Sequence, residues 1–221
     1  PMKIPDHAFR AYDVRGLVDI DLTPEFALQL GCAIGTDIVV GGGRTAAVGF
    51  DARASGPPLA DALIEGLCST GLDVRRIGCV ASPHLYHAVV QSDLGGGVMV
   101  TGSHNPPEYN GFKIMVGGHS LHGDEIQALR RRIKNNDFCV AEQPGKVLAY
   151  DALTPYAADV AQRLRPLTRP LKVVVDAGNG CGGLAVPVLR AQGAEVIELF
   201  CEADANFPNH HPDPTVEANL E

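Results

Sequence analysis

The sequence has no surplus of positive charge, no apolar run long enough for a bilayer, no closely spaced cysteines and no low-complexity segment. Each absence removes a class of protein. Over 221 residues the formal net charge is −8. That argues against a nucleic-acid or membrane partner, although a phosphorylated ligand needs only a local cationic pocket. No stretch reaches membrane-span length, and residues 17–22 already carry two aspartates. The start lacks a signal-peptide pattern, so a cytoplasmic protein is expected. The six cysteines stand at 32, 68, 79, 139, 181 and 201 without a CxxC pair. They are expected to be buried, reduced thiols rather than a disulfide framework.

What is present is ordinary for a globular chain. Hydrophobic residues at 45% and charged residues at 20% exclude disorder and leave enough apolar material for a sizeable core. Many of the 25 glycines sit in short clusters, which suits loops that bring backbone close to a ligand.

Short apolar runs alternate with amphipathic stretches. Strands are expected at 45–50, 74–80, 97–101 and 112–116, and helices at 24–39, 57–69, 83–92 and 124–134. Thr23 is the expected N-cap of the first helix, with Pro24 at its first position, and Leu129 and Ile133 share one face of the last. This alternation predicts an α/β fold, a mixed sheet sandwiched between helices. Residues 135–150 break the pattern, with only a short apolar run near 147–149, so a domain boundary is placed near Tyr150. Residues 151–221 then repeat the logic with a helix at 155–164, strands at 171–175 and 195–200, a Gly-rich turn at 176–180 and a helix at 183–191. Two strands make an incomplete second α/β domain of similar topology. Its unpaired apolar edge is expected to be labile and to allow dimerisation of the chain.

The richest segment for chemistry is Thr101-Gly102-Ser103-His104-Asn105-Pro106-Pro107-Glu108-Tyr109-Asn110-Gly111-Phe112-Lys113. It leaves one apolar strand and enters another. Gly102 lets a ligand approach the backbone, and Pro106-Pro107 stiffens the exit. Ser103 is a candidate nucleophile there, with His104 and Lys113 as cationic or proton-transfer groups. A plain polar turn is the alternative.

This loop resembles the active-site loop of the α-D-phosphohexomutase family, of the phosphomannomutase/phosphoglucomutase type. Other segments resemble the family in the same order: Phe9-Arg10-Ala11-Tyr12-Asp13-Val14-Arg15-Gly16, Val48 to Arg53 with Ser55-Gly56-Pro57, Ser82 to Tyr86, Val173 to Gly180, and Phe207 to Pro214. Phe50 departs from the family, where arginine is usual. The resemblance implies that Ser103 is carried as phosphoserine and exchanges phosphate with hexose phosphates through a hexose 1,6-bisphosphate. Mannose and glucose phosphates are the implied substrates, and glucose 1,6-bisphosphate the implied activator. It implies Lys113 as general acid/base, His104 beside it, and Arg10, Tyr12, Arg15 and Asn110 as substrate- or phosphate-binding residues. It also implies Mg²⁺, held by the Ser103 phosphate and a D-G-D-x-D-R loop that this sequence does not contain. The chain is therefore expected to be the N-terminal part of a mutase and inactive alone. Tyr109-Asn110 favours the phosphomannomutase branch over a phosphoglucosamine mutase. A non-catalytic phosphosugar-binding module stays open as a third reading.

Other polar features are given structural readings. Asp19 and Asp21 are expected in a solvated turn, 176–180 in a tight turn rather than an anion cradle, and Arg130 to Arg132 on a solvated helix face. His84 and His87 are expected to pack on one helix face. His210-His211 is not expected to form a metal pair, and His119 and His122 are assigned nothing.

Overall fold

The computed structural model describes residues 4–165 and 167–219. The first unit comprises β1 (Val14–Leu17), α1 (Pro24–Val40), β2 (Thr45–Phe50), α2 (Gly56–Ser69), β3 (Asp73–Cys79), α3 (Ser82–Gln91), β4 (Gly96–Val100), β5 (Tyr109–Val116), β6 (His119–Ser120), α4 (Asp124–Asn135) and β7 (Val147–Ala149). The second comprises α5 (Leu153–Arg163), β8 (Lys172–Asp176), α6 (Val186–Ala191) and β9 (Glu195–Leu199). No helix of the described residues is long and apolar enough to cross a membrane.

The large sheet runs β1-β5-β4-β2-β3-β7, with β6 on β5. The neighbours from β4 through β7 are parallel, whereas β5 is antiparallel to β1, β4 and β6. The sheet is therefore mixed, as expected. Side-chain alternation feeds two cores. Val48, Val98, Val100, Phe112 and Ile114 face α1, α2 and α4, while Ala47, Met99, Ile77 and Met115 join Leu85 and Val89 of α3. Fully burying a side chain such as Phe26 or Leu63 stabilises the fold by about 2 kcal/mol. Helices α1 and α2 approach unusually closely because Gly31 and Gly66 lie at the crossing. A Cβ on Gly66 would stand 2.0 Å from the Leu28 carbonyl oxygen.

Thr23 caps α1 as expected, its Oγ1 accepting from Phe26 N at 3.2 Å. Several expectations change. Strand β1 is unread in the sequence because four residues of polar-flanked chain give little period. It forms because Val14 and Gly16 lie opposite Phe112 and Asn110 of β5. Likewise β7 forms by pairing with β3, although all its residues are exposed. Asp21 is not solvated: its carboxylate turns inward, at 12% exposure, and accepts from Leu17 N at 3.0 Å. The arginine run is only partly solvated, because Arg132 bridges Asp37 (2.8 Å) on α1 and Asp137 (2.7 Å). The 183–191 helix is instead a 3₁₀ turn at Cys181–Ala185 followed by α6, which starts at Val186 with Pro187 in its first turn. The thiols are not uniformly buried. Cys32 and Cys68 are, but Cys79 is exposed at the strand end and Cys139, Cys181 and Cys201 are half-buried.

In the second unit β8 and β9 form a separate parallel pair. It joins the first through a seam between α3 and α5. His84 is buried there against Tyr156, ring centroids 4.4 Å apart, and His87 Nε2 meets Asp159 Oδ2 at 3.2 Å. The helix-face reading of these histidines thus holds, with the partner face supplied by the second unit.

Candidate active site

The loop between β4 and β5 is built around Arg53. Parallel pairing sets Phe50 of β2 opposite Val100 of β4, so the residues that follow each strand lie side by side. The Arg53 side chain is 2% exposed. Its Nη1 donates to the carbonyls of Pro106 (2.7 Å) and Tyr109 (3.1 Å), and its Nη2 to those of Ser103 (2.9 Å) and Asn105 (2.6 Å). Nε donates to Asp51 Oδ2 at 3.3 Å. The guanidinium offers its donors in a rigid fork, so one side chain satisfies the carbonyls of a whole irregular loop. Only glycine fits at 102, where a Cβ would lie 2.4 Å from Arg53 Nε.

Asp51 holds the other side. Its Oδ2 accepts from Thr101 Oγ1 (2.7 Å) and Gly102 N (3.2 Å), and Thr101 Oγ1 in turn accepts from Ser103 N at 2.9 Å. Gripped from both directions, Ser103 adopts φ 55°. That left-handed conformation is uncommon outside glycine and persists only where the surroundings enforce it. Ser103 is exposed and opens onto a cleft of about 290 Å³. Lys113 of β5 lines the same cleft, as do Ala81 and Ser82 at the N-terminal end of α3. The second unit closes it with Ala177, Cys181 and Phe207, whose ring lies 5.7 Å from the Arg53 guanidinium carbon.

Comparison with known proteins bears directly on this arrangement. The family model described as phosphoglucomutase/phosphomannomutase, alpha/beta/alpha domain I, matches residues 6–139, and the corresponding domain II model matches 154–221. The chain belongs to the phosphoglucomutase/phosphomannomutase family. A phosphomannomutase/phosphoglucomutase of Pseudomonas aeruginosa is 47% identical over 218 residues, 98% of this chain and 46% of that protein. A phosphoglucomutase of Neisseria gonorrhoeae is 44% identical, covering 96% of this chain and 46% of the relative. The crystal structure of a phosphoglucomutase/phosphomannomutase family protein from Burkholderia thailandensis superposes with a TM-score of 0.93 at 41% identity, covering 99% of this chain and 49% of that one. The chain thus spans about half the length of the relatives it matches.

Within this family framework, the structure brings together some of the residues singled out from sequence and separates others. Ser103 and Lys113 share the cleft. His104 is exposed and outside the cleft lining, its carbonyl accepting from His211 Nε2 at 3.0 Å. Asn110 is fully buried, donating to Ser55 Oγ at 2.8 Å while its Oδ1 accepts from Gly111 N at 2.8 Å. Arg10 and Tyr12 are exposed beside β1, away from the cleft lining. Arg15 donates to Asp13 Oδ2 through Nη2 at 2.5 Å and Nε at 3.1 Å. Burial works against its charge, but Asp13 and Tyr12 outweigh that and hold the guanidinium above its ordinary pKa.

Three residues that shape the site received no role from sequence: Asp51, Arg53 and Thr101. The available signal was topological. In a parallel sheet, ligand-facing chemistry gathers beyond the carboxyl ends of the strands, and Asp51-Ala52-Arg53 follows β2 just as Thr101 follows β4. Residues 176–180 form the expected tight turn: Asp176 Oδ1 accepts from Gly178 N at 2.8 Å, with Gly178 and Asn179 at φ 49° and 60°, and Ala177 and Gly180 line the cleft. His210 and His211 diverge, one to Asp176 and the other to the His104 carbonyl.

Proposed function

We propose that this chain carries the phosphoryl-exchange site of a phosphosugar mutase acting on mannose or glucose phosphates. The observation that carries the reading is Ser103 itself. It is exposed in an enforced left-handed conformation over a cleft that Lys113 also lines. The chain's relatives named phosphomannomutase/phosphoglucomutase support the choice of substrate class.

In this mechanism the phosphorylated Ser103 faces a sugar monophosphate. A sugar hydroxyl attacks phosphorus, a new P–O bond forms and the bond to Ser103 Oγ breaks. The proton leaves the hydroxyl for the neutral Lys113 amine, which passes it to the departing Ser103 Oγ. The resulting bisphosphate turns over in the cleft, and Ser103 Oγ gives its proton to Lys113 and takes the other phosphate as Lys113 passes that proton to the departing sugar oxygen. Such transfer relies on positioning and charge neutralisation. A phosphoserine carries about −1.5 to −2 charges at neutral pH, which the N-terminal end of α3 partly offsets.

The residues present do not by themselves fit a Mg²⁺ cage. That ion requires several hard oxygen ligands, and among the described residues no group of three His, Cys, Asp or Glu side chains could hold a metal. Asp51 is committed to Thr101, Gly102 and Arg53. No step above runs through the ion.

Ser103→Ala in the full-length protein that carries these residues is expected to abolish nearly all interconversion of glucose 1-phosphate in the presence of glucose 1,6-bisphosphate and Mg²⁺. It should also abolish phosphate labelling of the protein. Wild-type-like turnover, or undiminished labelling at another residue, would refute the assignment.

A further inference from the structure

Two of the cysteines, far apart in sequence, meet across the junction of the two units. Cys79 ends β3 and Cys181 opens the 3₁₀ turn after β8, 102 positions later, yet their sulfurs lie 3.8 Å apart. A sheet irregularity places Cys79 there. Val48 pairs with Arg76, but Gly49 pairs with Gly78, so one extra residue enters β3 and re-aims the end of the strand. Gly78 sits at φ 78°, with nothing within 4 Å of a notional Cβ. Cys181 is flanked by Gly180 and Gly182. Both cysteines therefore have adaptable backbone beside them, and a disulfide needs the sulfurs to close to about 2.05 Å. Cys79 is solvent-exposed and Cys181 lines the Ser103 cleft.

We propose that Cys79 and Cys181 form a reversible modification site for small-molecule disulfides, Cys79 being the attacking thiol and Cys181 the resolving one. The Cys79 thiolate attacks one sulfur of the reagent. A mixed disulfide forms, the reagent's S–S bond breaks and one small thiolate leaves. Cys181 then loses its proton and attacks the Cys79 sulfur. The mixed disulfide breaks, the second small thiolate leaves and the Cys79–Cys181 bond remains. Two protein thiols are oxidised by two electrons, and one small disulfide is reduced to two thiols. The product pins the second unit to the carboxyl rim of the large sheet, beside Asp51 and the cleft.

The roles follow from exposure and from the shared proton. The hydrogen-bonding contact with Cys181 holds Cys79 at about 7, against the opposing effects of burial and of the Asp51 carboxylate. The same contact, with burial, raises Cys181. The lowered value leaves more of Cys79 as the thiolate, the form that attacks a disulfide. The assignment stands whether or not Ser103 carries a phosphate.

The test is incubation of the full chain with glutathione disulfide at neutral pH, acid quench, alkylation and peptide mapping without reductant. Wild type should lose two hydrogens in mass and yield one cross-linked peptide pair containing residues 79 and 181, reversed by dithiothreitol. Cys181→Ser should instead stop at a single glutathione adduct on Cys79. Cys79→Ser should give no cross-link. Persistent adducts on wild type without a cross-link, a bond to any other cysteine, or an unmodified Cys79 would overturn the proposal.

Discussion

Strands β4 and β8 are both short and valine-rich, each ends in a turn that contributes to the cleft, and they live in opposite environments. All five residues of β4 are buried, whereas β8 alternates exposed and half-buried positions, with Val174 57% exposed. The cause is the number of neighbours. Strand β4 has β5 and β2 on its edges and helices over both faces, while among the described residues β8 has β9 as its one strand neighbour. Each buried Val or Leu is worth about 1.5–3 kcal/mol, so a similar apolar run contributes very differently in the two units. The division of labour at the cleft reflects this. Ser103, Lys113 and the Asp51–Arg53 grip ride on the well-covered sheet, and the thinly covered pair supplies the opposing rim.

The largest effect should come from the rigid side. Arg53→Met leaves four loop carbonyls and the Asp51 carboxylate without their shared donor in a nearly solvent-free position. Breaking such a buried charged contact typically costs about 3–5 kcal/mol, and chemical denaturation of the first unit's signal should show a loss of that order. The Ser103 loop should also become protease-sensitive. A loss of only about 0.5 kcal/mol, typical of a surface substitution, would mean that the loop holds its shape without the arginine and that the two sides of the cleft differ less than their burial indicates.

Hydrogen exchange tests the comparison directly. Amides of β2 and β4 should open only with global unfolding, and those of β8 and β9 through cheaper local openings. A gap of about 3 kcal/mol would appear as roughly 100-fold faster exchange in the second unit. Raising the protein concentration should slow exchange at β8 and increase light scattering if its exposed edge pairs with another chain. Equal protection in both sheets of a monomer would break the comparison.

Much of this was legible in the sequence because local signals and tertiary demand agreed. Thr23-Pro24 starts α1 as its capping chemistry requires, and residues 45–50 form β2 as their apolar run indicates. That Ser103 and Lys113 lie near one another is legible from the short loop that joins their strands, and both line one cleft. Elements with too short a local signal were not: β1 and the three-residue apolar run of β7 become strands because β5 and β3 offer them edges. Arg53 falls in a segment that resembles the family but draws no role from it, since nothing in one dimension says that four carbonyls converge on it. The Cys79–Cys181 meeting was hidden for the same reason, being a property of how two units dock. Asn110 shows the converse. A polar residue beside the Ser103 loop invites a ligand role, and the fold uses its amide to hold Ser55 and Gly111.

The smallest effect sets one histidine of the seam against one of the second unit, with opposite signs. Burial pushes His84 below its ordinary value of 6.5; its neighbour His87 adds to that and the Ala81 backbone opposes it. A depressed imidazole favours the fold while neutral. The α3–α5 seam, where His84 lies on Tyr156 and His87 meets Asp159, therefore keeps this contribution above pH 6.5 and loses it as pH falls through the lowered value. His210 is raised above 6.5, first by the His211 carbonyl and then by Asp176, whose Oδ2 lies 2.9 Å from Nε2. Its contribution is complete below 6.5 and is lost as pH rises through the raised value. Acid should thus loosen the seam and mild alkali the 176–210 clamp. Histidine titrations by NMR should place His84 below 6.5 and His210 above it. Amides of α5 should exchange relatively faster at low pH, and those of the 176–180 turn at higher pH, after correction for intrinsic rates. Two histidines titrating together near 6.5 would remove the distinction and leave the seam and the clamp equally indifferent to pH.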